Sequence, residues 1–168
     1  KNAMHIVTEM DAQTGAVLAW NPYNSEFPKR VAFFAVSESQ RTATADRTEF
    51  LGRNGTPANP AAMGRAELSG RVGPALDPCA ALQTAFDLDD GCEREVVFIL
   101  GAACDAATAR DLIGRFCDTH GARQALQGVW DYWSRTLGAV HVETPDPAVD
   151  FLVNGWLLYQ TLACRIWA

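Results

Sequence analysis

The 168-residue sequence contains no GxSxG, no glycine-rich phosphate-binding motif and no HExxH. A serine nucleophile on a strand-to-helix elbow, a nucleotide cradle and a helix-borne zinc pair therefore have no signal here. Positive charge is scarce as well. Fourteen Lys and Arg against 20 Asp and Glu give a formal net charge of -6, which argues against nucleic acid as a partner, since that needs a concentrated basic face. The five cysteines, Cys79, Cys92, Cys104, Cys117 and Cys164, are odd in number and include no CxxC pair. Neither a zinc site nor a disulfide framework is indicated, and reduced, mostly buried thiols are expected. The opening "KNAMHIV" has neither the apolar core of a signal peptide nor a basic amphipathic arm. No metal and no cofactor is expected.

With 48% hydrophobic and 20% charged residues, the chain can bury a core as one ordinary domain or two small ones. The first hundred residues pattern as strands. "HIVTEMD" (5–11) alternates, "QTG" offers a turn, and "AVLAWN" (16–21) follows. "VAFFAVS" (31–37) is short and apolar enough for a strand buried on both faces. "QRTATADRTEF" (40–50) alternates more weakly and is expected to continue as its neighbour. "CAALQTAFDL" (79–88) and "EREVVFILG" (93–101) flank Asp89, Asp90 and Gly91, which predicts a hairpin because glycine tolerates the positive φ of a tight turn. At least six strands predict an antiparallel sandwich.

Residues 51–78, rich in Gly, Pro and Arg, show no sustained period. A loop of that length is expected to lie on a surface, its own or a partner's. After Gly101 the apolar period changes from 2 to 3.6. Asp105 caps a helix with Ala109, Leu112, Ile113 and Phe116 on one face, and Gly121 is expected to end it. A second helix lines up Ala122, Ala125, Leu126, Val129, Trp130, Trp133 and Leu137. An extended connector with Pro145 and Pro147 leads to "FLVNGWLLYQTLACRIWA" (151–168), a helix apolar on nearly every side. Its polar interruptions, Arg165 among them, argue against a membrane span, so it is expected to pack inside a larger helical domain of which this chain is a piece.

Few residues suggest chemistry. Asp87, Asp89, Asp90 and Glu93 crowd one turn without the closing glutamate of a calcium loop. Asp46 and Glu49 flank Arg47, and paired acids serve sugar cleavage, yet an ion-paired strand end is the expectation at this spacing. Trp20 and Tyr23 offer aromatic planes matching the apolar face of a pyranose, or close one end of the sandwich. His5, His120 and His141 lie in different kinds of element and are expected at surface or cap positions.

The blocks "NPYNSEFPKRVAFFAVS", "TADRTEFLGRNG", "DPCAALQ", "VVFILGAACD" and "FLVNGWLLYQTLACRIWA" resemble, in this order, carbohydrate phosphorylase family 94, and within it the phosphorylase-like region of cyclic β-1,2-glucan synthases. The resemblance implies a mainly β architecture with C-terminal helices (α+β). Residues 1–103 would be part of an antiparallel, galactose-mutarotase-like supersandwich and residues 104–144 a helical linker. Residues 145–168 would be the first helix of an (α/α)6 barrel. Members of the family run an inverting attack of phosphate on a glycosidic bond. The acid and sugar-gripping residues belong to the barrel, so no catalytic position carries over to this chain.

The expectation is thus a non-catalytic fragment of a glucan synthase or glycoside phosphorylase, on the cytoplasmic side of a bacterial inner membrane and soluble by itself. Its partners would be the rest of the parent chain, with β-glucan and phosphate bound there, and a second copy of the chain is the other candidate. Arg53 and Arg65 of the long loop, with their fixed forks of donors, and Trp20 and Tyr23 are the candidate substrate contacts. One rival is an independent β-glucan-binding module built on Trp20 and Tyr23. Another is a mutarotase-like epimerase, which needs His5 or His141 facing a carboxylate.

Overall fold

A computed structural model describes residues 3–165. The chain divides into two compact bodies, one running to Ala122 and one beginning at Arg123.

In the first body, β1 (Val7–Met10), β2 (Val17–Trp20), β3 (Val31–Val36) and β6 (Phe98–Ala103) form an antiparallel sheet in the order β1-β2-β3-β6. Alternation decides what each face touches. Val31, Phe33 and Ala35 stand opposite Ala103, Gly101 and Ile99. With Leu18 they form a core closed by Ala109 and Ile113 of α2 (Ala106–Phe116). Burying Leu18 or Phe33 there stabilises the fold by about 1.5–3 kcal/mol each. A Cβ on Gly101 would come 2.5 Å from the Phe33 ring, so only glycine lets that ring lie flat on β6. On the other face, Val17 packs with Ala43 and Ala45 of β4 (Arg41–Asp46). β4 pairs with β5 (Pro78–Thr84) in a separate two-stranded antiparallel sheet.

Two expectations about pairing are overturned. Residues 40–50 do not extend the sheet beside β3. β4 lies in the second sheet, and the backbone then turns into the short helix α1 (Arg47–Leu51), which Asp46 caps through the Thr48 amide. Asp89, Asp90 and Gly91 do not close a hairpin either. Gly91 takes its positive φ of 75°, but β5 and β6 on either side belong to different sheets. The turn chemistry is local. Pairing follows the layer each strand covers, Ala81 of β5 beneath Leu68 and Ala62, and Ile99 of β6 against the α2 core.

The long loop lies on its own protein. Gly70 and Arg71 exchange backbone hydrogen bonds with Ala43 and Ala45 of β4. Thr8 of β1 and Gly73 bond to each other through hydroxyl, carbonyl and amide at 3.0–3.3 Å. The loop so joins the open flank of β4 to β1, and its Leu68 and Ala62 are buried.

Asp105 caps α2 by accepting the Thr108 amide at 2.8 Å. Gly121 does not end that helix. α2 stops at Phe116, and Gly121 sits buried in the first turn of α3 (Thr119–Leu137), its amide held by Asp118 at 2.8 Å. A Cβ there would fall 2.2 Å from the Arg115 carbonyl oxygen, which explains the glycine better than a C-cap does.

In the second body, Asp146 caps α4 (Pro147–Phe151), and a π-helical turn (Leu152–Trp156) leads into α5 (Leu157–Arg165). The final helix therefore starts at Pro147, ahead of the expected Phe151. Ile166, Trp167 and Ala168 lie outside the described residues. Asn154 clamps the connector by bonding both the amide and the carbonyl of Val142 at 2.8 Å, and Asp150 accepts the Thr144 amide. Trp133 of α3 meets Tyr159 with ring centroids 5.5 Å apart. Much of the apolar surface is uncovered: Trp130, Phe151 and Trp156 are 58%, 80% and 55% exposed. Among the described residues no helix is long and apolar enough to cross a membrane.

Candidate functional site

Trp20 ends β2 between Val7 of β1 and Val31 of β3. Its indole packs against the α2 core and lines a cavity of about 310 Å³ with Leu18, Val31, Glu9, Lys29 and Asp105. That volume lies at the small end of ligand pockets. The polar groups come from three separate places: β1 supplies Glu9, the loop before β3 supplies Lys29, and the N-terminus of α2 supplies Asp105. The Thr108 backbone amide holds the Asp105 carboxyl below the usual carboxylate range, helped by the Thr108 side chain and the Lys29 charge. An indole plane with carboxylate acceptors and an ammonium donor around it suits a hydroxyl-rich ligand.

Deeper in this body, Asp11 is buried and accepts Arg110 at 2.8 Å, the Thr14 hydroxyl at 2.7 Å and the Thr14 amide at 2.9 Å. Burial pushes its carboxyl up. The hydrogen bonds from Arg110 and Thr14 outweigh that and hold it below the ordinary value. Glu49 behaves alike: burial raises it, while Ser69, Thr44 and Arg65 together bring it down.

The expected substrate contacts take separate places. Arg65 lies 3.7 Å from the Glu49 carboxylate and helps fasten the loop, and Arg53 is exposed in the turn after α1. Tyr23 is 76% exposed and meets the His5 ring at 4.8 Å, while Trp20 faces the cavity, so the two aromatics have different neighbours. The strand end at Asp46 is ion-paired, but across to the loop: Asp46 with Arg71 at 2.7 Å, Arg47 with Asp77 at 3.7 Å. His120 and His141 are exposed. All five cysteines are free thiols, and the expectation of mostly buried ones fails, since Cys92, Cys104 and Cys164 are exposed. Burial pushes the Cys79 and Cys117 thiols up, away from the reactive thiolate. Glu9, Lys29 and Asp105 had no sequence signal as a group, because only the fold brings β1, the loop and α2 together.

Residues 1–119 match the family model for the glycosyl hydrolase 94 supersandwich domain. Over 170 aligned residues the chain is 39% identical to the cyclic beta-(1,2)-glucan synthase NdvB of Rhizobium meliloti, covering 100% of this chain and 6% of that protein. It is 29% identical to the cellobionic acid phosphorylase of Neurospora crassa over 82% of this chain and 17% of the relative. To the N,N'-diacetylchitobiose phosphorylase of Vibrio furnissii it is 27% identical, over 73% of this chain and 15% of the relative. The chain thus spans a small fraction of the length of each. Antiparallel sheets stacked under a helix, the matching family model and relatives that are glucan synthase and phosphorylases agree: this chain belongs to the glycosyl hydrolase 94 family, through its supersandwich domain.

Proposed function

We propose that this chain is the non-catalytic sandwich-and-linker part of a glycosyl-transferring protein that processes β-1,2-glucan, built like a cyclic glucan synthase and facing the cytoplasm at a bacterial inner membrane. The observation that carries the reading is the alignment of the whole chain with 6% of a glucan synthase. In this reading the proton donor, the phosphate cradle and the (α/α)6 barrel lie elsewhere in the parent, and the sandwich supports the barrel rim. Incubating the isolated chain with β-1,2-gluco-oligosaccharide and phosphate should release no sugar phosphate, while a version extended beyond Ala168 should do so. Turnover by the 168-residue chain at an enzyme-like rate would sink the proposal.

The Trp20 cavity favours a second reading, a β-glucan-binding module that positions polymer for the rest of the parent. Saturable shifts of the Glu9 and Asp105 amides on titration with β-1,2-gluco-oligosaccharides at millimolar concentration or below, lost in Trp20→Ala, are its expected result.

A further inference from the structure

A larger cleft, of about 550 Å³, opens between the start of β4 and the segment that follows β5, lined by Glu38, Ser39, Gln40, Phe86, Asp87 and Arg94. Phe86 is 44% exposed. The Arg94 guanidinium lies 5.0 Å from the ring centroid, over one face of it. Arg94 is fixed in turn by donating to the Glu38 carboxylate at 2.5 Å. The wall at Gln40 is tied to β5, because its carbonyl accepts the Thr84 hydroxyl at 2.9 Å. An aromatic plane held on one face by an anchored cation has little freedom left to lose on binding. Around it stand a hydroxyl, an amide and a carboxylate, both donors and acceptors.

We propose that this cleft is a saccharide-binding site in which Phe86 stacks on the apolar face of a neutral pyranose and Ser39, Gln40 and Asp87 hydrogen-bond its hydroxyls. The inference rests on the carbohydrate reading above and is separate from the Trp20 cavity. Charge selects the ligand class. Glu38 neutralises Arg94, and Asp87 adds a carboxylate, so the lining repels anions and favours uncharged sugars. The volume falls within the range of small-ligand sites and leaves room for more than one ring.

The test is titration of the 168-residue chain with a linear β-1,2-linked glucotetraose, followed by amide chemical shifts. Expected are saturable shifts at residues 38–40 and 85–87, with the affinity read from those shifts about tenfold weaker in Phe86→Ala and retained in Phe86→Trp. Phe86 is exposed, so its variants should keep the dispersed spectrum of the parent. Undiminished binding by Phe86→Ala overturns the proposal. Shifts confined to Glu9, Trp20 and Asp105 overturn it too, but leave the carbohydrate reading standing at the other cavity. Absence of any saturable shift removes both sugar sites and leaves the scaffold role to the activity comparison.

Discussion

Asp11 and Arg110 are far apart in sequence, yet their ion pair ties the end of β1 to α2. Removing the arginine leaves a carboxylate 2% exposed without its charge partner. A fully buried pair broken this way costs about 3–5 kcal/mol. Arg110 is 36% exposed, so Arg110→Ala should cost less than that, read as a lowered urea midpoint at neutral pH. The lowered folded-state values of Asp11 and Glu49 set the sign of the pH effect. Their stabilisation is complete above the unfolded-state values, about 3.9 and 4.3. It is lost as pH falls through the lower folded-state values. Urea midpoints measured from pH 7 down to 2.5 should therefore drop at the acid end, and less steeply in an Asp11→Asn, Glu49→Gln double variant. Gly121 makes the other demand at this scale. A methyl aimed at the Arg115 carbonyl must push the turn at Gly121 away from the end of α2, so Gly121→Ala should cost about 1–3 kcal/mol, where Gly128→Ala, with open space around it, should be neutral or stabilising.

Among the elements, the long loop stands out because its composition promises mobility and its bonds deny it. Gly70 donates to Ala43 at 2.8 Å and Gly73 to the Thr8 hydroxyl at 3.0 Å. These two amides should exchange with solvent about as slowly as those of β4, and Thr8→Val should release Gly73 without releasing Gly70. Fast exchange at both in the parent chain would contradict the loop's place on the sheets. Strand existence, the change of period after Gly101 and the Asp105 cap were legible in the sequence, because alternation, periodicity and capping act over a few neighbours. Layer assignment was not. The segment after Gln40 and the segment before Gly101 look like equally good partners for β3, and only the burial of Ala43 and Ala45 against Val17 decides between them. The cavities follow the same division. Trp20 was visible as an aromatic near a turn, whereas Glu9, Lys29 and Asp105 converge only in the folded chain, and Phe86 gains its meaning from Arg94 across the segment around Gly91.

At the scale of the whole molecule, the body ending at Ala122 has its own core, cap and ion pairs. Residues 1–122 expressed alone should fold, with amide shifts matching those of the same residues in the full chain away from the new terminus. Loss of dispersion would show that the later helices are needed for the sandwich. One boundary of this body is unlike the other. Gly73 covers part of β1, but among the described residues β6 pairs with β3 alone, and Phe98 and Leu100 are exposed on that last strand. Its residues, FILGAA, include neither a charge nor a proline, the usual guards of a sheet margin. Handling follows from this. Concentrated stocks should creep toward ordered, thioflavin-positive precipitate, and a single Leu100→Lys replacement should lengthen their shelf life at no loss of melting temperature.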